Sequence, residues 1–201
     1  MENFDEILEK VWPEVRKRHL YPELPSPKCE EGTENVGLDI KGKQISLSPS
    51  FVAEMSEVVA PNEVLEGLLD HAVSHYLFCP WDFSTHLKLY REAKRILKHK
   101  DMAQRATDYF MDIVADTHLV SQKETQLPKL YRHVNKGLLD EAVYAVYQLI
   151  WGVDLGVSSH QTLARKLSRL PYLDRGAWLT TIKRFARSIQ HLLEEEENSG
   201  G

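Results

Sequence analysis

From Pro49 onward the chain is written almost entirely in helical period, in segments that prolines and glycines cut to length. Pro49 opens a short segment, Ser50 to Met55. Pro61 suits the first turn of a longer helix to about Phe78, since its missing N–H has no intrahelical partner there. Cys79-Pro80 ends that helix. Further helices are predicted over about Ser84–His99 and Asp101–Val120, Leu127-Pro128 breaks the chain again, and helices at about 137–150, 159–169 and 175–196 complete it. Before Pro49, apolar residues at three- and four-residue spacing predict a first helix over 1–20, with a kink or an early start at Pro13. Tyr21 to Thr33 reads as a loop. The one β signal is Val36, Leu38 and Ile40, a turn at Lys41-Gly42-Lys43, then Ile45 and Leu47, which is a hairpin. The expected fold is mainly α with a small β-hairpin or sheet.

The 201 residues favour a single domain over 1–193, with a core at about 36–130, a C-terminal helical part at about 137–193 and a disordered acidic tail at 194–201. No run approaches the roughly 18 apolar residues of a spanning helix, and the acidic start MENFDEILEK does not resemble a secretory signal. Cys29 and Cys79 cannot form a disulfide framework. A net charge of -5 argues against broad binding to nucleic acid. A soluble, cytoplasmic protein without membrane or nucleic-acid partners is expected.

Chemistry concentrates in Leu68-Leu69-Asp70-His71-Ala72-Val73-Ser74-His75. Residues four apart on a helix differ by about 40° around its axis, so His71 and His75 can converge on one ion. Two ordinary histidines on a half-buried helix is the alternative. A later helix places Asp108, Asp112 and Asp116 at four-residue steps among Ile113, Val114 and Val120. A carboxylate in so apolar a stretch wants a partner or a metal, although a solvated acidic face would also explain the stripe. Two histidines and a carboxylate are the ligands of a catalytic zinc with a fourth position open.

The run Ile45-Ser46-Leu47-Ser48-Pro49-Ser50-Phe51-Val52, the His71/His75 helix and Asp112-Ile113-Val114-Ala115-Asp116 together resemble zincin-type HExxH metallopeptidases, of the kind found beside von Willebrand A-like domains. The resemblance covers about residues 38–130. It implies a zincin-like core, one zinc ion on His71, His75 and Asp116, Asp112 as a support for a ligating imidazole, and hydrolysis of a peptide or protein substrate. By association it implies an ATPase or von Willebrand A-like partner. The segment between His75 and Asp116 is longer than the family pattern, and Ala72 stands where the family has its glutamate. That glutamate is the general base which takes the proton from the metal-bound water, and its loss costs about two to four powers of ten in rate. The chain is therefore expected to be nearly inert, either as an inactivated form of an HEVSH enzyme or as a natural pseudoenzyme. Ala72→Glu is expected to restore the base without disturbing the fold, because glutamate is a good helix former.

Two other readings compete. Lys88, Arg91, Lys94, Arg95, Lys98, Lys100 and Arg105 could neutralise phosphates, but acidic residues interleave and a solvated helix face is the simpler account. The apolar helices after Leu138 could serve a non-catalytic interaction module. His86, His118, His133 and His160 read as structural or exposed, and Cys79 as a packing residue at a helix end that is a remote ligand candidate.

Overall fold

The structure, a computed structural model, describes residues 3–199. Its elements are α1 (Phe4–Arg18), β1 (Lys28–Cys29), β2 (Val36–Asp39), β3 (Gln44–Leu47), α2 (Pro49–Met55), α3 (Pro61–Leu77), α4 (Phe83–Leu97), α5 (Lys100–Gln122), α6 (Leu127–His133), α7 (Leu138–Trp151), α8 (Gln161–Leu167) and α9 (Trp178–Ser199). The expected mainly α fold with a small sheet is found. The chain divides into two compact units. One contains the chain up to Asp82 together with Leu119–Val134, and the other contains Phe83–His118 together with the chain from Asn135 on. Among the described residues no helix is long and apolar enough to cross a membrane.

In the first unit, α1 runs through Pro13 as one helix that starts at Phe4 rather than at the proline. Pro13 and Glu9 are both exposed, so water can satisfy the Glu9 carbonyl that proline leaves without a donor, while Leu8, Val11, Trp12 and Val15 hold the buried face. The hairpin forms with Leu38 opposite Ile45 and Val36 opposite Leu47. Lys28–Cys29, within the expected loop, adds a parallel strand beside β3, giving the order β1-β3-β2. A two-residue strand has no periodicity to read. Ser48 caps α2 by accepting from the Phe51 N–H at 3.2 Å.

Helix α3 packs on α1, α2 and α6. Val64, Leu65, Leu68, Leu69, Ala72 and Val73 form its buried stripe, in one apolar cluster with Val15, Ile45, Leu47, Val52 and Leu130. Leu127-Pro128, expected as a break, instead begins α6, because proline at the first turn opens a helix as readily as it ends one. Gly67 admits Leu130: a Cβ there would stand 2.5 Å from Leu130 Cδ1. Asp70 is fully buried and neutralised. Its Oδ1 accepts from Arg18 Nη2 at 2.9 Å and faces His19 Nε2 at 2.8 Å, and its Oδ2 accepts from Thr125 Oγ1 at 2.7 Å.

In the second unit, α4 packs on α9 and α7 on α8 and α9. The centre holds Phe110 with Tyr172 and Phe185, each ring centroid 5.9 Å from that of Phe110. The acidic run Glu194 to Glu197, expected as a disordered tail, belongs to α9, which continues to Ser199. Leu192 and Leu193 are buried just before it, and Glu196 accepts from the Leu139 N–H at 3.0 Å and pairs with Arg105. Only Gly200 and Gly201 of that tail lie outside the described residues.

Candidate metal centre

The His71/His75 pair lies on the flank of α3, beside its buried stripe, and both rings are half-buried. Their Nε2 atoms face each other at 3.1 Å, with ring centroids 4.6 Å apart and planes at 84°. The outer nitrogens are held as well. His75 Nδ1 lies 2.6 Å from the Cys79 carbonyl, and His71 Nδ1 lies 3.3 Å from the Tyr131 hydroxyl. A carbonyl only accepts, so His75 Nδ1 carries a proton and the neutral ring presents a lone pair at Nε2.

Two arrangements satisfy this geometry. In the first, His71 Nε2–H donates to His75 Nε2, and Tyr131 donates to His71 Nδ1. In the second, a cation takes the place of that shared proton, and His71 switches tautomer so that Nδ1–H donates to Tyr131. Two imidazole nitrogens on one zinc at about 2.0–2.1 Å lie roughly 3.0–3.4 Å apart for angles of about 95–110°. The observed separation falls in that range. A carbonyl and a hydroxyl on the outer nitrogens are also the usual supports of ligating histidines.

The carboxylate stripe on α5 grades from solvent to interior. Asp108 is exposed and accepts from Gln104, Asp112 is half-buried, and Asp116 is fully buried. Asp116 Oδ2 accepts the Tyr147 hydroxyl at 2.8 Å, and the Tyr147 ring stacks on Trp151 at 4.0 Å. Trp151 Nε1 donates to Thr117. Tyr109 donates to Asp140 at 2.6 Å. Burial, then the charges of Asp140, Asp116 and Asp112, push the Tyr144 hydroxyl well above its ordinary pKa. The second carboxylate arrangement expected from the sequence, a solvated acidic face, therefore describes Asp108 alone.

Ala72 is 2% exposed and belongs to the apolar cluster of the first unit. A glutamate there would enter hydrocarbon, against the expectation that it could be restored without disturbing the fold. Asp70, the neighbouring acid, is consumed by Arg18, His19 and Thr125. Tyr131 and the Cys79 carbonyl were not identified as site groups from the sequence. Tyr131 lies on α6, where only a break was expected, and a carbonyl leaves no residue signature. No protein family, curated protein or solved structure matches the chain.

Proposed function

We propose that this chain is a metal-binding protein in which His71 and His75 hold one divalent transition ion. The observation that carries this reading is the 3.1 Å approach of two Nε2 atoms whose rings are oriented from behind by the Cys79 carbonyl and Tyr131. Asp116, the donor implied by the resemblance, already accepts from Tyr147 through Oδ2. Two imidazoles, with the one carboxylate that the resemblance would add, suit zinc. Such an ion would act as a Lewis acid or hold a structural link.

The zincin-type metallopeptidase is the second reading. The order of the capped helix α2, the two-histidine helix α3 and the carboxylate helix α5 favours it. With Ala72 in the core there is no general base beside His71, so the non-catalytic, pseudoenzyme form of the site is the reading we favour. A peptide or an ATPase-type partner would then be bound rather than cleaved.

Zinc titration by calorimetry, with metal analysis of the purified protein, tests the proposal. One ion per chain is expected, with affinity reduced about a hundredfold or more in His71→Ala and His75→Ala. Absence of stoichiometric metal, or binding indifferent to both histidine changes, overturns it. Chelator-sensitive cleavage of a peptide library by the unmodified chain would replace it with the peptidase.

A further inference from the structure

Helix α4 concentrates charge against the trend of the chain. Residues 83–105 carry seven Lys and Arg against two acids, in a protein of net charge -5. Lys88, Arg91 and Arg95 are exposed and recur at three- and four-residue spacing, so they share one side of the helix over about 10 Å. Arg91 and Arg95 gather on Glu92, which is buried and oversubscribed. It accepts from Arg95 at 2.7 and 3.0 Å, with Arg91 Nε at 3.7 Å and Lys183 Nζ of α9 at 3.8 Å. Three cations around one carboxylate leave two positive charges unbalanced. At the start of the same helix Phe83, Ser84, Leu87, Lys88 and Arg91 line an open depression of about 330 Å³. Phe83 is 39% and Leu87 49% exposed.

An apolar floor beside a guanidinium-rich rim is the composition of a protein-binding surface. We propose that this face docks an acidic segment of a partner protein. An aromatic or leucine side chain of the partner fills the depression over Phe83 and Leu87, and its carboxylates meet Lys88, Arg91 and Arg95. Carboxylates one helical turn apart match the spacing of these cations. Single-stranded nucleic acid fits less well, because it needs successive aromatic platforms and the depression offers one ring. The chain's overall negative charge also repels a long polyanion. This inference is independent of the metal site.

Fluorescence anisotropy on the intact protein tests it with three labelled probes: a short Glu/Asp-rich peptide carrying one Phe and one Leu, the same peptide with Ser at both apolar positions, and oligo-dT. The first peptide should bind saturably and more weakly at high salt, and the Ser peptide should bind several-fold more weakly. The exposed double change Lys88→Glu/Arg91→Glu should weaken binding about tenfold or more. Leu87→Ser should remove the preference for the apolar peptide, and Lys10→Glu/Lys28→Glu, on the other unit, should change nothing. Thermal melts establish that each variant is folded. No binding of the first peptide, equal affinity for both peptides, or insensitivity to Lys88→Glu/Arg91→Glu overturns the proposal. So does oligo-dT binding that exceeds peptide binding and disappears with that double change, which would make the face a nucleic-acid surface.

Discussion

Gly67 of α3 and Leu130 of α6 meet where no β-carbon fits: one built on Gly67 would lie 2.5 Å from Leu130 Cδ1, 3.1 Å from its Cγ and 3.4 Å from the Gln126 carbonyl carbon. Leu130 is 2% exposed and cannot swing out. The next residue, Tyr131, is the one that reaches His71. Packing at Gly67 therefore sets the position of a group at the candidate metal centre one helical turn away.

Gly67→Ala gains about 1 kcal/mol of helix propensity but forces α6 outward at an overpacking cost of about 1–3 kcal/mol. A lower melting temperature is expected. Zinc affinity should fall with it, since Tyr131 moves with α6. Calorimetric titration beside a thermal melt checks both.

Ala72→Glu is expected to destabilise the protein by several kcal/mol, because it buries a carboxylate among Leu65, Leu69 and Val73. Burial would raise that carboxyl's pKa in the folded state. The deficit should therefore be smallest at acid pH, where folded and unfolded forms are both protonated, and should widen as pH rises past about 4.3. Urea melts at a series of pH values would show whether the gap widens in that direction.

Asp70→Asn keeps the shape of a residue that holds Arg18, His19 and Thr125, and removes its charge. Breaking a fully buried pair costs about 3–5 kcal/mol. Arg18 is about a third exposed and can rehydrate, so about 2–3 kcal/mol is expected. Chemical denaturation of the variant beside the parent measures it.

Three tyrosines make alkaline stability asymmetric. Tyr109, Tyr144 and Tyr172 all have hydroxyl pKa values raised first by burial, and at Tyr109 and Tyr144 next by Asp140. The folded state keeps their protons while the unfolded state releases them near pH 10. Their contribution is thus complete below about pH 10 and is lost as pH climbs toward the folded values. Denaturant melts across this range should show stability falling steeply, with tyrosinate absorbance from these rings appearing only on unfolding. Tyr172→Phe should flatten the slope.

Tyr131→Phe removes the hydroxyl behind His71 and should weaken zinc binding about tenfold, leaving the melting temperature nearly unchanged. Nitrogen-15 NMR of the imidazoles should find His75 protonated at Nδ1 in the parent and the variant alike.

The strongly periodic elements were legible. Helix α3, expected over Pro61 to about Phe78, ends at Leu77, and the expected hairpin forms, although Ile40 joins the turn and β2 ends at Asp39. Proline was ambiguous. At 13 it sits inside a helix whose buried face outweighs one lost bond, and at 128 it starts a helix. The histidine pair was legible because both members sit on one helix. Tyr131, sixty residues from His71, depends on tertiary packing that no local period records. The burial of Ala72 follows from the apolar residues that flank the histidine pair, Leu65, Leu68, Leu69 and Val73. Ala72 lies four residues after Leu68 and seven after Leu65, in line with the apolar stripe, while His71 stands about 100° away.

The interleaving of the two units bears on how the chain can be cut and how it is made. A fragment ending at Asp82 would retain both histidines but lose Tyr131 and Thr125, so Asp70 would face the interior one hydrogen bond short and His71 would lose its support. On the ribosome, Phe83–His118 emerges before Leu119–Val134 can close the first unit. Glu196, which satisfies the Leu139 N–H at the start of α7, comes later still. The first unit therefore cannot complete the pairing of Asp70 until Thr125 has been made.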